Sequence, residues 1–376
     1  MKSILYFLAF TLIVAVSCTN SSNSKEEKPL TDVQLHELAD SLAQAYIIVD
    51  GHVDIPYRLK HHPEDISVRT ENGHFDYVRA KEGGLSAPFM SIYIPSNRED
   101  NGAKVLADSL IDLVENLTKL NPDKFAIATS TAQVKEQFKQ GLISLPMGME
   151  NGAPIEHDLK NVKYFYDRGI RYITLTHAKA NHICDSSYDT TRLWNGLSEF
   201  GEELVKEMNN TGIMVDISHV SDSAFYDVLK ISKVPVIASH SSCRHFTPGF
   251  ERNMSDDMIQ VLAKHEGVVH INFGSSFLDA RYHENKADST TVTTASQVAD
   301  HIDHVVKLVG IDYVALGSDF DGVSHLPEDV SDASELPNVI YELLKRGFTN
   351  QDIEKICYVN SFRVWDAVDA YSKSQH

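Results

Sequence analysis

The residues of this chain best suited to chemistry stand at the ends of apolar runs. His52 and Asp54 close Val49-Asp50-Gly51-His52-Val53-Asp54, and Glu150 closes Leu145-Pro146-Met147-Gly148-Met149-Glu150. His219 closes Ile213-Met214-Val215-Asp216-Ile217-Ser218-His219, and His240 closes Val234-Pro235-Val236-Ile237-Ala238-Ser239-His240. A carboxylate at the end of a buried run is costly unless it is paired or bound to a metal. Residues i and i+2 of an extended chain face one side, so His52 and Asp54 can reach the same ion. Any one of these side chains has an ordinary explanation as a capped turn or a structural histidine. Five of them in equivalent places do not. They offer nitrogen and oxygen donors and no thiolate, a set that suits zinc and also manganese or cobalt. Five side chains exceed what one tetrahedral catalytic zinc with an open position takes. They fit two ions sharing a carboxylate, which can hold a hydroxide between them and polarise a carbonyl.

Further residues fall in the same pattern. His177 closes Tyr172-Ile173-Thr174-Leu175-Thr176-His177, as a sixth ligand or a donor to a developing oxyanion. Asp319 and Asp321 follow Val314-Ala315-Leu316-Gly317-Ser318. One of these carboxylates can shuttle a proton, and spacing leaves open which. Arg252 lies in the loop after the His240 run, where a guanidinium fork can hold a substrate carboxylate in two bonds. Three other motifs lead nowhere. His265-Glu266-Gly267-Val268-Val269-His270 has one residue too many for H-E-x-x-H. Asp319-Phe320-Asp321-Gly322 opens like a calcium loop but has Val330 where Glu is needed. No G-x-S-x-G is present.

The elements that must position these residues follow from periodicity. Candidate strands are Tyr46–Gly51, Ala87–Ile94, Leu142–Met149, Tyr172–Thr176, Ile213–Ser218, Val234–Ser239, Gly267–Phe273 and Tyr313–Gly317. Amphipathic stretches such as Lys104–Leu120, Leu197–Asn209, Ser221–Ile231, Met254–Lys264 and Ser296–Leu308 lie between them, and Thr31 caps a helix running to Ala45. This alternation predicts a parallel sheet, and eight units predict an α/β fold, a TIM-like (β/α)8 barrel with its metal site at the C-terminal ends of the strands. The chain exceeds the roughly 250 residues usual for that barrel, so long loops or an inserted hairpin near Arg58–Arg79 are expected. The alternative is an open doubly wound sheet, which the absence of G-x-G-x-x-G after the first strand disfavours.

The N-terminus has a different character. Lys2 precedes an apolar run from Ile4 to Val16, too short to span a bilayer, and Cys18 follows small residues. This predicts a signal peptide over 1–18 with a lipobox Cys, a polar tether over 19–30, and a catalytic barrel over 31–376. A lipid on Cys18 would anchor the protein to a membrane of the bacterial cell envelope, facing periplasm or exterior. Cys184, Cys243 and Cys357 are odd in number, which excludes a full disulfide framework. The net charge of −19, with no Lys/Arg cluster, argues against nucleic acid as a partner.

Taken together, Asp50-Gly51-His52-Val53-Asp54, Gly148-Met149-Glu150-Asn151-Gly152, Tyr172 through His177, Asp216-Ile217-Ser218-His219-Val220, Ser239-His240-Ser241-Ser242, Arg252-Asn253 and Ser318-Asp319-Phe320-Asp321-Gly322 resemble the membrane (renal) dipeptidase family of zinc peptidases, in a bacterial lipoprotein-like form. The resemblance runs from about Ile47 to Val368. It implies two zinc ions per chain, with His52 and Asp54 on the first, His219 and His240 on the second, and Glu150 bridging. It assigns His177 and Arg252 to substrate binding and Asp319 to the acid/base role. It implies a small peptide substrate, often with a D- or dehydro residue at the C-terminal side, and is compatible with a homodimer. One departure is Phe277, at the position where vertebrate members carry a Tyr near the substrate carboxylate. The competing functions are another metal-dependent amide or lactone hydrolase and a lipoprotein that binds peptides without cleaving them.

Overall fold

The structure is a computed structural model that describes residues 30–375 except Asn285 and Ser289. Cys18, the signal peptide and all but the last residue of the 19–30 tether therefore lie outside the described residues. Ten strands form, in chain order: β1 (Ile48–Val53), β2 (Leu85–Tyr93), β3 (Phe125–Ile127), β4 (Ile143–Leu145), β5 (Met147–Glu150), β6 (Ile170–Thr174), β7 (Met214–Asp216), β8 (Ile237–Ser241), β9 (Val268–Ile271) and β10 (Val314–Leu316). Eight of them close a parallel barrel in the order β1-β10-β9-β8-β7-β6-β5-β2. Helices on the outside cover the barrel, so its strands are buried on both faces and read as continuous apolar runs. The chain is thus a closed TIM-like barrel.

Each predicted helix forms, including Asp32–Ala45, whose N-cap Thr31 and Gln34 make a reciprocal capping box. This helix packs on Leu336–Lys345 through a His36–Tyr341 ring stack at 3.7 Å. Cys184, Cys243 and Cys357 are buried and unpaired. Among the described residues, no helix is long and apolar enough to cross a membrane.

One expectation is corrected and another is narrowed. The run Leu142–Met149 is two strands, because Pro146 has no N–H to continue a ladder. Before it, β4 pairs with β3 in a separate two-stranded sheet, and after it β5 joins the barrel. Of the two alternatives near Arg58–Arg79, the long loop forms and the inserted hairpin does not. That stretch holds the end of helix Ile55–His61, a run of turns and the start of helix Tyr77–Gly83. Side chains rather than a ladder fix it: Arg58 donates to Glu64, Asp321 and the Phe75 carbonyl, and Asp76 accepts from Thr70 N and Arg79 N.

Two buried carboxylates inside the barrel set the strand ends. Asp50 Oδ1 accepts from His52 N at 3.1 Å and Ser318 N at 2.8 Å, joining β1 to the segment after β10. Asp216 Oδ1 accepts from Ser218 N at 3.0 Å and Ser239 N at 2.8 Å, joining β7 to β8. Asp50 stands two residues before His52 and Asp216 three before His219, so both struts lie just behind the points where chemistry-bearing side chains leave the barrel.

Candidate metal centre

His52 occupies the penultimate position of β1. Asp54 is not a strand residue but the N-cap of helix Ile55–His61, and its side chain makes no capping bond. Its carboxylate is therefore available to the barrel mouth. Glu150 ends β5, and His240 lies within β8. His219 and Asp319 stand just beyond β7 and β10 with φ of +68° and +63°. Non-glycine residues rarely adopt this left-handed region, and it recurs where a site over-determines the backbone.

These side chains converge. Glu150 sits at the centre, 3% exposed, with its two oxygens facing different neighbours. Oε2 is 3.5 Å from His52 Nε2, which lies 3.4 Å from Asp54 Oδ2. Oε1 is 2.9 Å from His219 Nε2, 3.3 Å from His240 Nε2 and 3.8 Å from His177 Nε2. Asp319 Oδ2 accepts from Asn272 Nδ2 at 2.8 Å, and its carboxylate joins His52 and His240 in a further cluster. All six sequence-predicted residues around Glu150 are thus brought together.

The protonation states suit a metal. His240 Nδ1 lies 2.7 Å from Ser239 Oγ, whose own proton goes to Asp216 Oδ2. Ser239 must then accept from Nδ1–H, which leaves a bare lone pair on His240 Nε2. That lone pair faces His219 Nε2 at 3.0 Å. Two imidazole nitrogens at this distance repel unless a proton or a cation stands between them or beside them. Burial, then the Arg252 charge or the neighbouring imidazole, holds His219 and His240 well below the usual histidine range, so neither carries the extra proton. Burial works against a charged Glu150, yet His52, His177 and the close His219 outweigh it and hold the carboxyl well below its usual value. His52 Nε2 and Asp54 Oδ1 are buried without a hydrogen-bond partner among the described residues. His52 is the exception among the imidazoles: burial works against its charge, yet Tyr172, Glu150 and Asp54 push it well above the usual histidine range. Neutral His219 and His240, an ionised Glu150 and orphaned donor atoms are what a metal site requires.

Asp319 and Asp321 differ in their partners. Asp321 is consumed by Arg58 Nε at 2.8 Å and by His74 N at 2.7 Å. Asp319 faces the cluster, and burial, with the charges of Asp54 and Glu150, pushes it up to about 8 against the pull of His52. Gly322 packs against it, since a Cβ there would lie 2.2 Å from both Asp319 Oδ1 and Asp54 Oδ2.

Arg252 is 3% exposed, donating to Ser241 Oγ at 2.6 Å and to the His240 carbonyl at 2.7 Å. Its Nε meets no partner among the described residues, and its guanidinium carbon lies 5.0 Å from the Phe277 ring centre. The cavity above Glu150 has a volume of about 1070 Å³ and is walled by Tyr57, Tyr93, Tyr188, Phe277, Tyr282 and His325.

Sequence reasoning missed several supporting residues. Tyr172 OH meets His52 Nδ1 at 2.8 Å, reaching it across Gly148, where a Cβ would fall 2.0 Å from the Tyr172 ring. Ser239, Asp216 and Asn272 hold His240 and Asp319. Tyr93 and Tyr188 pack on His177 and His219 with ring centres at 4.8 and 5.7 Å. Asp216 and Ser239 carried a signal, as polar residues inside apolar strands. Tyr93, at the end of β2, and Tyr188, in a loop, carried none.

The sequence profile of the membrane dipeptidase family (peptidase family M19) matches residues 36–376. Dipeptidase verJ of Clonostachys rogersoniana is 36% identical over 340 residues, covering 86% of this chain and 85% of that protein. A Rhodobacter sphaeroides metallopeptidase, solved with a phosphinate mimic of the dipeptide L-Ala-D-Ala, superposes with a TM-score of 0.78 at 26% identity, covering 86% of this chain and 99% of that one. The probable dipeptidase PvdM of Pseudomonas aeruginosa shares the fold, with a TM-score of 0.81 at 23% identity over 90% of this chain and 99% of that one.

Proposed function

Since the chain belongs to the membrane dipeptidase family and is a metallo-dipeptidase, we propose that it cleaves dipeptides with two zinc ions, one held by His52 and Asp54, the other by His219 and His240, with Glu150 shared between them. The observation that carries this reading is the division of Glu150, one oxygen toward His52 and the other toward His219 and His240. When bound, the ions lower the pKa of a water and polarise the scissile carbonyl.

The chain's own residues do the rest. Arg252 binds the substrate's C-terminal carboxylate. Its bonds to Ser241 and the His240 carbonyl fix the guanidinium plane, and its Nε–H has no partner among the described residues. His177, 3.8 Å from Glu150, donates to the carbonyl oxygen as negative charge develops there. Asn272 occupies Asp319 Oδ2, so the proton moves at Oδ1: Asp319 takes it from the attacking water and returns it to the amide nitrogen as the C–N bond breaks. A D-residue at the C-terminal side is supported by the L-Ala-D-Ala mimic carried by the Rhodobacter relative. The cavity also leaves room for more than a minimal dipeptide.

Hydrolysis of L-Ala-L-Ala, L-Ala-D-Ala and their C-terminal amides, measured on zinc-loaded protein, tests this reading. Free dipeptides should be cleaved and the amides poorly. Arg252→Ala should lower kcat/KM for the free dipeptides roughly tenfold to a hundredfold, since a bond to a charged group contributes about 1.5–3 kcal/mol. Equal cleavage of dipeptide and amide by the unmodified enzyme would remove the carboxylate clamp. We also assign Cys18 as the site of a lipid anchor to the cell envelope. Cys18→Ser should move the protein out of the membrane fraction, and unchanged fractionation would return 1–18 to an ordinary signal peptide.

A further inference from the structure

A second cluster of ligand-type side chains lies away from the barrel mouth. His245 sits in the short turn Arg244–Phe246 of the loop after β8, Asp256 is the first residue of helix Asp256–Lys264, and His304 lies on helix Ala295–Val309. Their ligand atoms all fall within 4.8 Å of one another. His304 Nε2 is 2.8 Å from Asp256 Oδ1, and the His245 and His304 rings stack at 4.3 Å. We propose that His245, Asp256 and His304 form a separate binding site for a divalent transition-metal ion, which staples the loop carrying Arg252 to the helix Ala295–Val309.

The chemistry of the donors selects the ion. Two imidazoles and one carboxylate suit zinc, nickel, cobalt or copper, whereas calcium and magnesium take oxygen shells of six or more. Ligand atoms about 2.0–2.1 Å from a tetrahedral zinc stand roughly 3.3 Å apart. The 2.8 Å His304–Asp256 pair needs only a half-ångström opening to admit the ion. The three side chains are also not committed elsewhere. Their neighbour His301 is, since Nδ1 takes Cys243 N and Nε2 meets the Leu278 carbonyl. Arg244, the nearest cation in sequence, is held by both oxygens of Asp222 and does not compete for Asp256. His245 is exposed, which gives the ion an entry path and leaves its remaining positions to water. The positive end of helix Asp256–Lys264 opposes a cation here, so this site is weaker than one at the barrel mouth.

Its three ligands come from three separate segments, and the loop between β8 and that helix includes both His245 and Arg252. An ion would fix that loop against the helix Ala295–Val309, to which it is otherwise tied by Phe246 packing on His301 and by the Cys243 bond.

The test uses the complete protein, first saturated at the barrel mouth and active on dipeptide, then equilibrated with excess zinc chloride and counted for bound zinc. The unmodified protein should bind one more equivalent than His245→Ala or His304→Ala, and both variants should retain dipeptide hydrolysis. His245 is exposed, so that variant keeps the test clear of folding defects. The extra equivalent should raise Tm in the unmodified protein and not in His245→Ala. The same zinc count in all three proteins would overturn the proposal, whatever number of ions the barrel mouth itself holds. So would an extra equivalent that persists in both variants.

Discussion

The floor and the rim of the cavity are made from different kinds of chain. On the floor, His52, Glu150 and His240 are strand residues, and Asp54, His219 and Asp319 follow strands within a few positions. Each of His52, His240 and Asp319 is braced from behind, by Tyr172, Ser239 and Asn272 in turn. On the rim, Tyr57, Tyr188, Phe277, Tyr282 and His325 come from the excursions after β1, β6, β9 and β10. The floor is therefore held by the barrel and its bracing bonds, while the rim is built from the loops. The comparison teaches that reaction type is a property of the barrel and substrate choice a property of the loops.

The comparison predicts unequal sensitivity. Short of removing a ligand, the largest effect should come from the smallest change on the floor. Gly322→Ala puts a methyl where two carboxylate oxygens stand and must displace Asp319 or Asp54. A shift of about 1 Å costs on the order of a hundredfold in rate, so kcat on any dipeptide should fall by about that much. A drop confined to some substrates would show that this residue belongs functionally to the rim.

Behind the floor, Tyr172→Phe removes the partner of His52 Nδ1 while leaving ring and packing intact. Loss of such a supporting bond lowers metal affinity roughly tenfold to a hundredfold. Zinc competition with a chelator should find one ion loosened and the other unchanged. Equal loosening of both would mean that Tyr172 supports the barrel rather than His52.

The smallest effect belongs to the rim. Phe277→Tyr adds a phenol near Arg252, whose guanidinium lies 5.0 Å from that ring. One added hydrogen bond contributes about 0.5–1.5 kcal/mol, so kcat/KM for free dipeptides should rise by less than about tenfold, with zinc content unchanged. A changed zinc content would erase the distinction between rim and floor.

The same division explains what could be read from sequence. His52, Glu150, His219 and His240 were legible because each closes an apolar run, where a polar residue is expensive and so informative. The barrel followed from the same alternation of runs. Pro146 broke one expected strand into two, and only the pairing of β4 with β3 reveals where the first half goes. Whether the 58–79 excursion would be a long loop or a hairpin was open in the sequence, because its order comes from Arg58 reaching Asp321, a partner far away in sequence. The roles of Asp319 and Asp321 were indistinguishable by spacing for the same reason. Tyr93 and Tyr188 gave no signal, since an aromatic residue in or near a loop is commonplace until the fold brings it beside His177 or His219.

The central claim is that one carboxylate serves both ions, and metal counting on two variants tests it most directly. Glu150→Ala should bind neither zinc after loading and lose essentially all activity, because both halves of the site lose a ligand. His219→Ala should keep the ion held by His52, Asp54 and Glu150. Two zinc ions retained by Glu150→Ala, counted by elemental analysis, would contradict the shared carboxylate and with it the account of the floor.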